Sequence, residues 1–187
     1  QRRSLPYGIE PIPLLLSRAG YCTALGCGLS KKTDQNFTNK LGFTANNWFQ
    51  RKPGQPFFAQ VTEATTHRTW KRDEENPIDE NDVELPPYYP DTPLIRRDWA
   101  NGLEQLQLAD KTIGKMLQKL DEDGLRDNTL VILIGDNGRC MPRGKQFLYD
   151  GGISIPLLMR WPGHIKPGTV CDDLVNTLDI CKTIVDL

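Results

Sequence analysis

Residues 129–145 read T-L-V-I-L-I-G-D-N-G-R-C-M-P-R-G-K, and they decide how the rest of the chain is understood. The apolar run from Leu130 to Ile134 predicts a strand inside a sheet buried on both faces. The run stops on Gly135 and delivers Asp136 and Asn137 side by side. In a parallel sheet such a strand ends at the carboxyl edge, where open α/β folds bind ligands. Two oxygen-bearing side chains there, with Lys145 further along, suit a hard cation beside an anionic group. Asp136-Asn137-Gly138 also composes an ordinary turn, because Asp, Asn and Gly are common turn residues. Both readings stand at this level.

The chain around that stretch has 187 residues, enough for one domain with a sizeable core. Its net charge of -1 provides no field to attract nucleic acid or an acidic membrane surface. No apolar run is long enough to span a bilayer, and no signal peptide opens the sequence. Gln1-Arg2-Arg3-Ser4 lacks an initiator Met, which predicts a chain cut from something longer. The five cysteines (Cys22, Cys27, Cys140, Cys171 and Cys181) contain no C-x-x-C pair, arguing against a disulfide framework and a structural zinc site. Asn36-Phe37-Thr38 is a glycosylation sequon, informative only in a secreted eukaryotic protein. Oligomeric state is not readable from these features.

Taken in order, residues 12–18 predict a short helix with Pro11 and Pro13 at its start and Ala19-Gly20 at its end. Residues 21–25 predict a short strand, followed by a glycine-rich turn into Lys31 and Lys32. Its spacing matches neither the P-loop nor the dinucleotide fingerprint. Residues 39–55 have no period and predict a surface loop around Trp48 and Phe49. Residues 56–61 predict a second buried strand, which places His67 just beyond its end; a plain loop histidine and a functional one remain open. Residues 71–93 are charged and proline-rich, an extended crossing loop, with Asp73-Glu74 read as solvated charges.

Thr92 then caps and Pro93 opens a helix running to about Asp123, with Gly124 as its stop. Ile95, Trp99, Leu103, Leu106, Ile113, Leu117 and Leu120 form one apolar stripe on it, predicting packing across a sheet. A helix leading at once into the 130–134 strand is half of a right-handed crossover unit. Gly151-Gly152 predicts a turn, residues 155–161 a further strand, and residues 178–187 a terminal helix capped by Thr177. The expected class is α/β, a largely parallel sheet flanked by helices, without a dividing linker.

Several stretches taken together resemble the formylglycine-dependent sulfatases of the alkaline phosphatase superfamily. G-L-R-D-N-T-L-V-I-L-I-G-D-N-G and R-G-K-Q-F-L-Y-D-G-G-I-S-I-P-L-L-M-R-W-P-G look like the later half of their catalytic domain. L-P-P-Y-Y-P-D-T-P-L-I-R-R-D-W-A, T-L-D-I-C-K-T-I-V-D-L and R-A-G-Y-C-T-A-L match the family's layout in order, so the resemblance covers nearly the whole chain. It implies an alkaline-phosphatase-like fold and cleavage of sulfate esters on a small molecule or carbohydrate. It also implies calcium, ahead of magnesium, held in part by Asp136 and Asn137. Lys145 would contact the sulfate, His67 would be the sulfate-side histidine serving catalysis, and Lys32 or its neighbour Lys31 would bind substrate. A periplasmic, secreted or lysosomal setting goes with the family, and a membrane span or nucleic-acid partner does not.

The departures from the family pattern matter equally. No C/S-x-P-x-R, the motif oxidised to formylglycine, occurs here, and no adjoining acidic pair precedes Gly20. The family's Gly-Lys-x-His is not intact, since Thr33 or Asp34 takes the histidine's place, and Met141 stands where some relatives carry a histidine. Residues 1–187 therefore read as a partial sulfatase catalytic domain, without its nucleophile-bearing N-terminal part and C-terminal subdomain. Alone it is expected to be inactive, because the remaining groups only position and polarise. The alternatives are a catalytically inactive remnant or binding module of the same fold, and a phosphoester hydrolase of the same superfamily.

Overall fold

A computed structural model describes residues 3–27 and 37–187 of the chain. The glycine-rich turn with Lys31, Lys32, Thr33 and Asp34, and Asn36 of the sequon, lie outside the described residues. The elements run α1 (Ile12–Arg18), β1 (Cys22–Leu25), β2 (Phe57–Gln60), α2 (Pro93–Glu122), β3 (Val131–Ile134), α3 (Asp150–Ile153), β4 (Leu157–Arg160) and α4 (Thr177–Asp186). This is the expected α/β order, with the helical turn α3 where the sequence predicts a plain turn at Gly151-Gly152. Two compact units form, residues 1–64 with 172–187, and residues 65–171.

In the first unit β1 is the central strand. It pairs in parallel with β2, Cys22 opposite Phe57 and Leu25 opposite Gln60. Its other edge is met by residues 44–45, with Leu25 N–H donating to Ala45 O at 2.9 Å and Thr44 N–H to Thr23 O at 2.8 Å. Cys22, Thr23 and Ala24 are consequently buried, and the Thr23 hydroxyl donates to Gly42 O at 2.8 Å. The expected surface loop over residues 39–55 is largely exposed, but it buries Trp48, which is only 3% exposed. A buried strand needs partners for its backbone groups on both edges, and this aperiodic segment supplies them. The terminal helix is capped by Asn176, not Thr177. Asn176 accepts from Leu178 N–H at 2.8 Å, and its own N–H donates to Asp179 at 2.7 Å.

In the second unit β3 and β4 pair antiparallel, Val131 opposite Arg160 and Ile134 opposite Leu157. The expected parallel sheet is thus met by β1 and β2, and not by this pair. A parallel return requires a long crossover, whereas residues 135–156 hold one helical turn and close with Gly135 N–H on Pro156 O at 3.1 Å. Nor is β3 buried on both faces: Leu133 and Ile134 are 38% and 42% exposed. No third strand joins the pair among the described residues.

The long helix α2 starts and stops where its caps dictate. The Thr92 hydroxyl accepts from Ile95 N–H at 3.4 Å, Pro93 occupies the first turn, and Gly124 (φ 68°) ends it in the left-handed region. Its buried positions follow the apolar stripe only in part. Leu106 is exposed, while Ala100, Gly102, Glu104, Gln105, Ala109 and Leu120 are buried, on more than one side of the helix. The crossing segment covers the positions off the stripe: Glu104 accepts from Asp73 N–H and Ile78 N–H, both at 2.9 Å, and from Arg72 Nη2 at 3.2 Å. Lys71 N–H donates to Gln105, and Trp70 sits over Gly102. Asp73, read as solvated from sequence, is buried and takes Lys111 Nζ at 3.0 Å. Apolar periodicity misses Glu104 and Gln105 because these two deep seats hold polar side chains.

Burial by itself pushes the Glu104 carboxyl up. The hydrogen bonds from Arg72 and the amides of Ile78 and Asp73 outweigh it and hold the group below its ordinary 4.5. A carboxyl depressed in the folded state contributes stability that is complete above its unfolded value and is lost as pH falls through the folded one. Replacing Glu104 with Ala leaves the buried amide of Asp73 and the half-buried amide of Ile78 without their acceptor, and should cost about 3 kcal/mol in urea unfolding at pH 7. The deficit should shrink, without vanishing, as the measurement moves well below pH 4.5, because only the part that depends on the ionised carboxylate is lost. Gly114, on the exposed side of α2 with open space around its Cβ position, sets the opposite expectation: G114A should stabilise by about 0.5–1 kcal/mol in the same assay.

Candidate active site

The loop over residues 135–156 is built from backbone hydrogen bonds. Lys145 N–H and Met141 N–H both donate to Arg139 O, at 2.8 and 2.7 Å, and Gly138 N–H donates to Gly152 O at 3.1 Å. A Cβ on Gly138 would lie 1.9 Å from Gly151 O, and one on Gly152 would lie 2.0 Å from Phe147 O. Backbones that approach so closely admit only glycine. The loop folds back on itself, so the Lys145 backbone is tied to a residue that follows Asn137 by only two positions.

Of the residues singled out from sequence, Asp136, Asn137, Lys145 and His67 all lie in this second unit; Lys32 lies outside the described residues. Asp136 is exposed, and Asn137 and Lys145 are half-buried. None of these three side chains has a hydrogen-bond or ion-pair partner among the described residues. His67 is exposed, with Nδ1 within hydrogen-bonding distance of Arg68 O. Its segment is pinned to the loop by Arg68, which sequence reasoning passes over. Arg68 Nε donates to Cys140 O at 2.9 Å, its guanidinium pairs with Asp98 of α2, and it lies 4.1 Å above the Trp70 ring.

The electrostatics of this unit separate into two populations. Arg68, Arg72, Arg96, Arg97 and Lys111 are all matched by carboxylates: Asp98, Glu104, Asp91, Glu80 and Asp73. Between residues 135 and 149, by contrast, Arg139, Arg143 and Lys145 face one carboxylate, Asp136, and pair with none among the described residues. Residues 71–90, chemically silent as sequence, contribute Tyr88 and Tyr89 to the loop's surroundings. The Tyr89 hydroxyl donates to Pro142 O, and its ring meets Trp99 at 5.7 Å. Burial raises the Tyr89 hydroxyl above its ordinary pKa, as does Tyr88, against the lowering influence of Arg139 and Arg143.

Asp136 and Asn137 offer a hard cation oxygen donors from two side chains and no imidazole, a donor chemistry that favours calcium or magnesium over zinc. Both side chains are unengaged by the protein, so they fit as part of a ligand set that for calcium numbers about six to eight oxygens. Among the described residues no group of three or more His, Cys, Asp or Glu side chains is arranged to hold a metal.

The sulfatase family pattern matches residues 31–187. The chain belongs to the sulfatase family. This sulfatase chain is 28% identical over 182 residues to an ulvan-active sulfatase of Formosa agariphila, covering 97% of the chain and 26% of that protein. It is 27% identical to human N-sulphoglucosamine sulphohydrolase, over 95% of the chain and 44% of the relative. To human arylsulfatase A it is 34% identical over 99 residues, 45% of the chain and 19% of the relative. The chain thus spans less than half the length of these relatives. Among solved structures, the lipoteichoic acid synthase LtaP from Listeria monocytogenes matches 86% of this chain and 48% of its own, with a TM-score of 0.50 and 21% identity. That likeness is one of fold, and it is the alkaline-phosphatase-like α/β fold. No helix among the described residues of the sulfatase chain is long and apolar enough to cross a membrane.

The glycine contacts give this loop a direct check. G152A must displace backbone at Phe147 and Gly144, at a cost of about 1–3 kcal/mol by the usual penalty of overpacking. Hydrogen exchange at the Gly138 and Lys145 amides should accelerate in that variant, while exchange in the middle of α2 keeps its rate.

Proposed function

We propose that this chain is part of a sulfatase catalytic domain and that the complete enzyme hydrolyses sulfate esters of small molecules or carbohydrates. What carries the reading is the Asp136-Asn137 pair and the unpaired Lys145 on one glycine-locked loop of a sulfatase-family chain. In this reading Asp136 and Asn137 hold a calcium ion, with magnesium the weaker candidate. When bound, the ion supplies positive charge against a sulfate oxygen, and a formylglycine from a C/S-x-P-x-R motif, which these 187 residues do not contain, supplies the nucleophile. A periplasmic, secreted or lysosomal setting goes with this family reading.

The chain's own groups account for the rest. Lys145 sets its ammonium against the sulfate oxygens, and Lys32 or Lys31 adds a second cation on the substrate. Breaking the S–O bond builds negative charge on the departing alkoxide, which needs a proton. With Nδ1 of His67 turned to Arg68 O, the opposite nitrogen, Nε2, is the one left to carry that proton. Preorganised charge against the sulfate oxygens is where such sites obtain most of their rate, and the glycine-locked loop holds the Lys145 backbone in place for it.

In the full-length enzyme D136A should abolish turnover of an aryl sulfate while circular dichroism is unchanged; retained turnover would remove Asp136 from the ligand set. K145A should lower the rate constant by about a hundredfold or more, the scale seen when one preorganised charge-stabilising donor is lost. An aryl phosphate offered in parallel should turn over much more slowly, and the reverse preference would favour a phosphoester hydrolase. For the 187-residue chain alone, calorimetry should find calcium binding no tighter than about millimolar, since two side-chain donors are far from a complete site.

A further inference from the structure

Arg143 is the least explained residue of the loop. It is a non-glycine residue at φ 63°, in the left-handed region where glycine is the comfortable choice. Its backbone is fixed there by Gly144 N–H on Met141 O at 2.9 Å and by Gly151, whose Cβ position lies 3.2 Å from Arg143 O. A glycine would hold this turn with less strain, so what the arginine adds here is its side chain. That side chain is exposed, pairs with no carboxylate among the described residues, and lies between two tyrosines. Its guanidinium carbon is 5.1 Å from the Tyr88 ring centre and 5.2 Å from that of Tyr149.

The rings continue the arrangement on both sides. Tyr149 meets Phe147 at 6.3 Å, and Tyr88 meets Tyr89 at 4.7 Å, which in turn meets Trp99. At the far end Arg139 lies 3.8 Å above Trp99, with its Nη1 buried and without a hydrogen-bond partner. Burial holds the Arg139 guanidinium below its ordinary pKa, against the raising influence of Tyr89 and Tyr88. A ladder of five aromatic rings thus carries a guanidinium at each of two places, and neither is neutralised by the protein. Tyr88, Phe147 and Tyr149 are 44%, 49% and 53% exposed.

We propose that Arg143, flanked by Tyr88 and Tyr149 and backed by the charge of Arg139, forms a subsite for a second anionic group on the substrate. This selects sulfated sugars bearing another sulfate or a carboxylate over singly charged sulfate esters. The proposal rests on the sulfatase reading and specifies its substrate class. A guanidinium beside aromatic rings keeps N–H groups free for the fork that matches a carboxylate or sulfate. The ring faces beside it accept the C–H face of a sugar. A polyanionic glycan therefore meets both halves of its chemistry here, and an uncharged aglycone meets only one. Discrimination of this kind is strong when a site's polar group is left unpaired by the wrong substrate.

The test uses the full-length enzyme and three probes: 4-nitrophenyl sulfate, a monosulfated disaccharide containing a uronic acid, and the same disaccharide with its carboxylate reduced to the alcohol. The readout is the ratio of kcat/KM for the acidic disaccharide to that for its reduced counterpart. R143Q should lower this ratio about tenfold and R139Q should lower it less, whereas R143K should restore part of the loss. A disulfated neutral disaccharide, compared with its monosulfated form, distinguishes sulfate from carboxylate as the preferred second group. A ratio near one in the parent enzyme for both pairs, or a ratio that R143Q leaves untouched, would overturn the proposal. Calorimetric binding of the same disaccharides, read alongside, keeps the two readings apart. If no sulfate ester is hydrolysed but R143Q still weakens binding of the acidic disaccharide selectively, the sulfatase reading fails and the subsite stands.

Discussion

The second unit depends on one buried carboxylate. Glu104 sits on α2 with its side chain fully enclosed, and it answers two backbone amides and a guanidinium of the crossing segment. A charge in that position is tolerated only because every oxygen is engaged, and the same bonds fix residues 72–78 to the helix. With that stretch fixed, the flanking residues have defined places. Trp70 covers Gly102, Arg68 reaches Cys140, and Tyr89 reaches Pro142. The segment that looks from its composition like a solvated connection is the frame against which the site loop is set.

That frame also explains why the charges of the site loop stand out. Arg68, Arg72, Arg96, Arg97 and Lys111 of the unit are matched to carboxylates, so their fields largely cancel beyond a few ångströms. The loop departs from the pattern: its cations are presented on glycine-locked backbone or on aromatic faces, not on acidic partners. In the proposed reading, unneutralised positive charge on a backbone held by close glycine contacts leaves little reorganisation for an anion to cause. Family membership and this local electrostatics point the same way from independent starting points.

Local signals in the sequence were sufficient for the elements and for the family. Thr92, Pro93 and Gly124 bound α2 through capping chemistry that needs no tertiary partner, and Ala19-Gly20 ends α1 in the same way. The apolar run before Gly135 marks β3, and its continuation into Asp-Asn-Gly, together with R-G-K and the segments on either side, is specific enough to identify a sulfatase. Less legible was anything set by pairing. The sense of the β3–β4 pair depends on how residues 135–156 close, and the role of residues 39–55 depends on an open edge of β1. Neither leaves a periodic trace.

What the sequence determined alone is the longer helices and the four strands, the caps of α2, the family, and the Asp136-Asn137 pair that follows β3. Those follow from interactions spanning a few residues, or from motifs whose order is itself the information. What tertiary structure alone decided is which positions of α2 are deepest, that Asp73 and Glu104 are interior charges, and that Tyr88, Tyr89 and Trp99 share surroundings with Arg139 and Arg143. The physical reason is that a polar residue's burial depends on partners many positions away. Its own identity and spacing are the same whether it faces water or a matching charge.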